Sequence, residues 1–159
     1  MYKKILSFGL FLTIIDQIIK YLVVINLKFT ESIKIISNFF YITYIRNAGA
    51  AFGMFQNGGT LLIILSIIAI IGLIKYIIED KNITKTEAIS YSFVFGGILG
   101  NLIDRIVNGY VIDYLDFYIF GYDYPIFNFA DILIVIGFGI ILINLFIKGD
   151  YNETNKRRR

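Results

Sequence analysis

The sequence predicts an all-α integral membrane protein, with four transmembrane helices and a small β-rich extracytoplasmic platform. Hydrophobic residues make up 57% of the 159 residues, 17% are charged, and the mean hydropathy is +0.72. These values lie outside the usual range for a soluble domain of this size. Four apolar stretches, at about residues 5–25, 60–78, 88–107 and 129–147, each approach the ~20 residues that a helix needs to cross a bilayer.

The positive charges predict how these helices are oriented. Ten of the fifteen lysine and arginine residues lie before the first stretch, around the link between the second and third stretches, or after the fourth. Because cytoplasmic loops are enriched in these residues, we expect both termini in the cytoplasm and the loops at about residues 26–59 and 108–128 outside. Residues 1–148 then form one membrane domain, and residues 149–159 form a mobile, basic cytoplasmic tail.

The composition excludes several kinds of chemistry. The chain has no cysteine and no histidine, which removes disulfides, thiolate nucleophiles, Cys/His zinc sites and Ser-His-Asp triads. The basic residues lie beside the ends of the spans, so membrane topology explains them better than a nucleic-acid partner does. Carboxylates, amides and hydroxyls must therefore carry any reaction, and we expect neither a metal nor another cofactor.

The two outer loops differ in composition. Residues 32–46 are rich in β-branched and aromatic residues with partial alternation, which predicts short strands at the interface. The glycine-rich segment at residues 47–59 permits close approach of the backbone to another group. The second loop is rich in tyrosine and phenylalanine, and we expect it to act as a lid. Its acids Asp116 and Asp123 are expected to be solvated.

Several polar residues fall inside the predicted spans, where an ionisable group costs on the order of ~3 kcal/mol. Asp16 and Lys20 are spaced i,i+4 in the first span, so they share a face and can form a pair. Asn101, Asp104 and Arg105 fall within one turn of the third span. Spacing alone leaves open whether each group has a structural or a direct functional role.

Topology is expected to bring two further carboxylates together. The third span ends just before Asp113, and the fourth begins near residue 129, which puts Asp131 in its first turn and Asn128 in position to cap it. The alternative to a shared site is that Asp113 is an ordinary loop acid, and that Asp131 is a first-turn acid favoured by the helix dipole. If the two carboxylates meet, they share one proton and can act as acid and base on a water molecule and a peptide carbonyl.

Five blocks of sequence span most of the chain. They are IDQIIK (residues 15–20), RNAGAAFG (46–53), GGILGNLIDRI (96–106), VIDYLDF (111–117) and FNFADILI (127–134). In this order they resemble the lipoprotein signal peptidases, or type II signal peptidases, which are bacterial membrane aspartyl proteases. The resemblance implies cleavage of prolipoproteins just before a cysteine that carries a diacylglyceryl group. It also implies a place in the bacterial cytoplasmic membrane, with the active site near the extracytoplasmic face.

The resemblance also implies roles for individual residues. Asp113 and Asp131 correspond to the catalytic pair. Supporting positions are implied for Asn47, Asn101, Arg105 and Asn128, and more structural ones for Asp16, Lys20 and Asp104. The expected partners are lipid-modified prolipoproteins, membrane lipids and inhibitors of the globomycin type. An ion-coupled transporter and a non-catalytic membrane assembly subunit are the competing functions, since intramembrane carboxylates also line ion pathways.

Overall fold

The computed structural model describes residues 1–49 and 59–157, with residues 148–157 as backbone only. Most of the glycine-rich segment, at residues 50–58, lies outside the described residues. The elements in chain order are α1 (Tyr2–Asn26), β1 (Ser32–Ile36), β2 (Phe40–Asn47), α2 (Gly59–Glu79), α3 (Lys85–Asn108), β3 (Val111–Ile119), β4 (Tyr122–Asp123) and α4 (Phe129–Arg157).

The four strands form one antiparallel sheet in the order β1-β2-β3-β4. The strands predicted within residues 32–46 are present as β1 and β2. The second loop supplies β3 and β4, and its role as a lid stays a prediction. Pairing with β2 satisfies backbone groups that a free loop would leave to water, and Phe117 of β3 stacks on Phe40 of β2 with ring centroids 4.5 Å apart. The aromatic residues of this loop therefore stabilise the sheet.

The helix α3 packs against each of the other three helices. It begins with a capping box, in which Thr84 accepts a hydrogen bond from the N–H of Glu87, and the Glu87 carboxylate accepts one from the N–H of Thr84. It ends before Gly109, whose φ of 80° lies in the left-handed region that terminates many helices. These caps place both ends close to the limits predicted from hydropathy.

Two glycines of α3 allow this close packing. A Cβ at Gly97 would lie 2.7 Å from Cγ1 of Ile134 in α4, and one at Gly100 would lie 2.5 Å from Oδ2 of Asp16 in α1. Small residues at such positions let membrane helices approach each other closely. Gly100 thereby makes room for a carboxylate between α1 and α3.

Within the described residues, three helices are long and apolar enough to cross a membrane, namely Tyr2–Asn26, Gly59–Glu79 and Phe129–Ile147. Their outer faces carry many exposed large apolar side chains, such as Ile71 of α2 and Phe146 of α4. An apolar surface of this extent is suited to lipid, so the protein is a multi-pass membrane protein. The helix α4 continues to Arg157, and residues 149–157, which we expected to form a mobile tail, are helical.

Candidate active site

The side chain of Lys20 lies at the centre of a buried polar cluster. Its Nζ is 2.9 Å from Oδ2 of Asp16 and 2.9 Å from Oδ2 of Asp104 in α3, and it donates to Oδ1 of Asn101 at 3.0 Å. These three acceptors match the three donors of an ammonium group. The pairing of Asp16 with Lys20 that their spacing predicted is confirmed, and the structure adds a second carboxylate to it.

Each carboxylate of this cluster also accepts a hydrogen bond from the backbone of another element of the fold. Oδ1 of Asp16 accepts a hydrogen bond from the N–H of Ala130 in the first turn of α4, at 3.1 Å. Oδ2 of Asp104 accepts one from the N–H of Ile112 in β3, at 3.0 Å. The cluster around Lys20 therefore positions both α4 and β3, the two elements that carry the candidate catalytic carboxylates.

Side chains cap the first turn of α4. Asn128 precedes the helix, and its Oδ1 accepts a hydrogen bond from the N–H of Asp131 at 3.0 Å. In return, Oδ2 of Asp131 accepts one from the N–H of Asn128 at 3.2 Å, and the Tyr114 hydroxyl accepts one from the N–H of Phe129 at 3.1 Å. This reciprocal capping fixes the Asp131 carboxylate at a helix N-terminus, where the helix dipole favours negative charge.

Asp113, the third residue of β3, is 2% exposed. Its Oδ1 accepts a hydrogen bond from the side-chain amide of Asn128 at 2.7 Å, and its Oδ2 accepts one from that of Asn47 at 2.9 Å. Asn128 thus donates to Asp113 through its side chain and to Asp131 through its backbone. The structure brings both carboxylates to this one residue.

Burial and charge change the acidity of Asp113. Desolvation is the larger cause and the negative charge of Asp131 the second, and together they raise the pKa of Asp113 to about 7. The hydrogen bonds from Asn47 and Asn128, and the positive charge of Lys20, act in the opposite direction. A carboxyl group with a pKa near neutrality can hold or release a proton under ordinary conditions, as an acid–base catalyst must.

Asn101 connects the ion cluster to the candidate catalytic pair. Its Oδ1 accepts hydrogen bonds from Lys20 and from the side-chain amide of Asn128, the latter at 3.2 Å. Its Nδ2 donates to Oδ1 of Asp131 at 2.8 Å. Because the acceptor side of this amide is occupied by two donors, its donor side is fixed towards Asp131.

Arg105 lies one turn after Asn101 on α3. Its guanidinium donates two long hydrogen bonds, each 3.4 Å, to the carbonyls of Asn101 and Gly49. Its Nε is buried and, among the described residues, has no hydrogen-bond partner. Since its charge interacts with Asp113 and Asp131, Arg105 offers a donor beside the two carboxylates.

Two residues of this site were missed by the sequence analysis. The side-chain amide of Gln17 donates to Oδ1 of Asp104 at 3.1 Å, and Tyr114 helps to cap α4. Gln17 stands in the IDQIIK block and Tyr114 in the VIDYLDF block. Their positions inside these blocks could have identified them as candidate site residues.

The prediction that Asp116 is a solvated loop acid is wrong. It is 5% exposed, and its Oδ2 accepts a hydrogen bond from the Thr43 hydroxyl at 2.5 Å. Asp123 is exposed, as predicted. The reason for the difference is that residues 111–119 form the strand β3 instead of a loop, and Val111–Tyr114 and Asp116 of this strand are buried.

The converging groups are suited to acid–base chemistry. They comprise two carboxylates, three amides and a guanidinium group. Among the side chains of residues 1–49 and 59–147, no group of three or more acids is placed to hold a metal ion. A carboxylate pair of this kind can activate a water molecule and polarise a carbonyl group.

Known proteins resemble this chain over most of its length. Residues 8–147 match the family model of signal peptidase (SPase) II. Lipoprotein signal peptidases of Staphylococcus aureus and of its strain JH9 are each 40% identical to the chain over 148 residues, which is 93% of this chain and 90% of the relative.

Two solved structures share the fold, both of bacterial membrane enzymes determined by the in meso method. The one at 2.3 Å resolution has a TM-score of 0.86 and 37% identity, and the match covers 92% of this chain and 90% of that chain. The one at 1.9 Å has a TM-score of 0.81 and 38% identity, and the match covers 90% of this chain and 92% of that chain.

Replacing Lys20 by methionine is expected to destabilise the protein by about 3–5 kcal/mol, because two buried carboxylates would lose their cation. Lys75→Met is the matched control, since it removes another i,i+4 pair, with Glu79 at 3.9 Å, whose two side chains are exposed. An exposed pair contributes little, so this variant should melt near the wild type. Thermal unfolding in detergent measures both, and an unchanged melting temperature for Lys20→Met would contradict the central role of the ammonium group.

Proposed function

The chain belongs to the signal peptidase II family and removes signal peptides from prolipoproteins, and we propose that Asp113 and Asp131 form its catalytic pair. The observation that carries this proposal is their shared contact with Asn128, which donates to one carboxylate from its side chain and to the other from its backbone. Two carboxylates in one buried site hold a single proton between them, because ionising both is costly.

In the resting pair, Asp113 holds the shared proton and Asp131 is the base. Asp131 takes a proton from water as the water oxygen attacks the scissile carbonyl carbon, and Asp113 gives its proton to the carbonyl oxygen. As the resulting diol collapses and the C–N bond breaks, Asp131 returns its proton to the amide nitrogen, and Asp113 recovers one from a diol hydroxyl. The protons balance, and the pair returns to its starting state.

The surrounding donors keep the pair oriented through this cycle. Asn47 and Asn128 donate to Asp113, and Asn101 donates to Asp131. We assign Arg105 to a peptide carbonyl of the substrate, because its buried Nε has no acceptor among the described residues. A donor that is already desolvated and positioned binds a carbonyl without further reorganisation.

We assign the scissile bond to the amide that precedes a cysteine carrying a diacylglyceryl group. A lipid-modified cysteine stays in the bilayer, so the bond before it lies near the membrane surface. Asp131 in the first turn of α4 and Asp113 near the start of β3 lie where helices meet the sheet, which suits a bond at that depth. Membrane lipids then surround the site, and globomycin-type inhibitors compete with the substrate for it.

We propose α3 as the fourth membrane span. It has 24 residues and packs against α1, α2 and α4, and the polar side chains that lower its hydropathy, such as Ser92 and Asn101, are buried. Polar groups inside a membrane bundle face other helices rather than lipid. With four spans, both termini lie in the cytoplasm, and the sheet and the catalytic pair lie at the extracytoplasmic face.

Single cysteines test this orientation directly, because the natural chain has none. A cysteine in place of Lys34 in β1 should react with a membrane-impermeant maleimide in intact spheroplasts. A cysteine in place of Asn82, in the turn between α2 and α3, should react only after lysis. Both positions are exposed, so the reverse pattern of labelling would contradict the proposed topology.

Replacing either catalytic carboxylate by its amide should abolish cleavage. We expect Asp113→Asn and Asp131→Asn each to lower kcat by about a hundredfold or more, since an amide neither takes nor gives the proton. The assay is cleavage of a lipid-modified prolipoprotein by purified enzyme, with Asp123→Asn as the control for loss of an exposed carboxylate. Near-normal cleavage by either catalytic variant, with an unchanged melting temperature, would refute the assignment.

The raised pKa of Asp113 predicts the pH dependence. The protonated form is the active one, so kcat/KM should be maintained below the pKa and fall as the pH rises through about 7. The hydrogen bond from Asn47 lowers this pKa, so Asn47→Ala should move the alkaline limb of the profile to higher pH. Asn82→Ala, in an exposed turn, should leave the profile in place. A rate that increases through pH 7 would contradict a mechanism that needs one proton on the pair.

A further inference from the structure

A cavity of about 550 Å³ lies on the opposite face of the sheet from Asp113. It is lined by Ser32, Asn38, Tyr41, Asp116, Tyr118 and Gly121, none of which belongs to the cluster around Lys20. Side chains alternate between the two faces of a strand. Asp113 and Asp116 are three residues apart on β3, so their side chains point to opposite faces. The irregularity in the β2–β3 pairing does not change this, because its extra residue lies in β2.

Asp116 is a buried carboxylate with one oxygen left unsatisfied. Its Oδ2 accepts a hydrogen bond from the Thr43 hydroxyl, which is also 2.8 Å from the Ser32 hydroxyl. Its Oδ1 is buried and, within the described parts of the chain, has no hydrogen-bond partner, and the carboxylate makes no ion pair there. A buried acceptor without a donor is costly, so a ligand that supplies the donor would be bound favourably.

Aromatic rings and negative charge beside this carboxylate suit a cation. Tyr41 and Tyr118 meet edge to face, with ring centroids 5.4 Å apart, and both line the cavity. The negative charge of Asp116 is the main cause of the raised pKa of Tyr118. Tyrosine faces next to a carboxylate are a favourable environment for an ammonium group.

The rim of the cavity indicates a lipid as the source of that ammonium. Two turns border the cavity, at residues 37–39 and 120–121, and they and the strand ends beside them carry exposed apolar side chains. These are Ile36, Phe39, Ile119, Phe120 and Tyr122. Exposed aromatic and aliphatic residues of this kind are typical of a surface that meets a membrane interface. A soluble cationic ligand would not require exposed apolar side chains around its binding site.

A positive charge lies on the same face of the sheet as the cavity. Lys34 of β1 is paired in register with Tyr41 of β2, and cross-strand neighbours share a face of the sheet. Its ammonium group is therefore available to a phosphate beside the cavity. We propose that this cavity binds the headgroup of a zwitterionic phospholipid with a primary ammonium, such as phosphatidylethanolamine, with the ammonium against Asp116 and the phosphate near Lys34.

Native mass spectrometry of the full chain in detergent tests this site with defined lipids. The wild type should bind phosphatidylethanolamine about tenfold or more tightly than the same lipid with an acetylated amine, since acetylation removes the charge and the hydrogen bond to the carboxylate. Phosphatidylglycerol, which has no amine, should bind as weakly as the acetylated lipid. Asp116→Asn should abolish this preference, and Asp123→Asn, which removes an acid outside the cavity, should keep it.

Other outcomes would overturn the proposal. Equal binding of the free and acetylated lipids by the wild type would overturn it. This comparison uses the wild type alone, so it does not depend on the folding of Asp116→Asn. Retention of the preference in Asp116→Asn would place the amine elsewhere. Displacement of bound phosphatidylethanolamine by a lysine-containing peptide at equal concentration would identify a polypeptide side chain, rather than a lipid, as the ligand.

Discussion

One buried ammonium group holds the active site together. Lys20 brings three donors into the helix bundle and uses them on Asp16, Asp104 and Asn101, so it is both neutralised and fully hydrogen-bonded, as a buried charge must be. The two carboxylates also accept hydrogen bonds from backbone N–H groups of α4 and β3. The positions of the two proposed catalytic carboxylates, Asp113 and Asp131, therefore depend on an ion cluster formed between α1 and α3.

Opposing electrostatic effects set the acidity of Asp113 in the proposed catalytic pair. Burial and the charge of Asp131 favour the protonated form of Asp113, whereas the amides of Asn47 and Asn128 favour its ionised form. An amide donor is suited to this task because it stabilises the negative charge without adding a positive one. The balance leaves the pKa of Asp113 at about 7, as the proposed sharing of one proton within the pair requires.

Much of the fold was predictable because its signals are local. Hydropathy located the helices to within a few residues, except that α4 continues ten residues beyond its predicted end, and partial alternation located β1 and β2. The strand β3 was not predicted, because its partner β2 lies more than sixty residues earlier and leaves no local mark in the sequence. The same error placed Asp116 in solvent, whereas the structure buries it at 5% exposure beside Thr43.

By itself, the sequence determined the membrane class, the residue types that must carry the chemistry, and the pairing of Asp16 with Lys20, because apolar length, composition and i,i+4 spacing are properties of a single segment. Only the tertiary structure decided which amide faces which carboxylate. The bond from Asn47 to Asp113 spans 66 residues, and the one that ties the start of α4 to Asp16 spans 114. Such contacts follow from strand register and helix packing, which depend on all the elements at once.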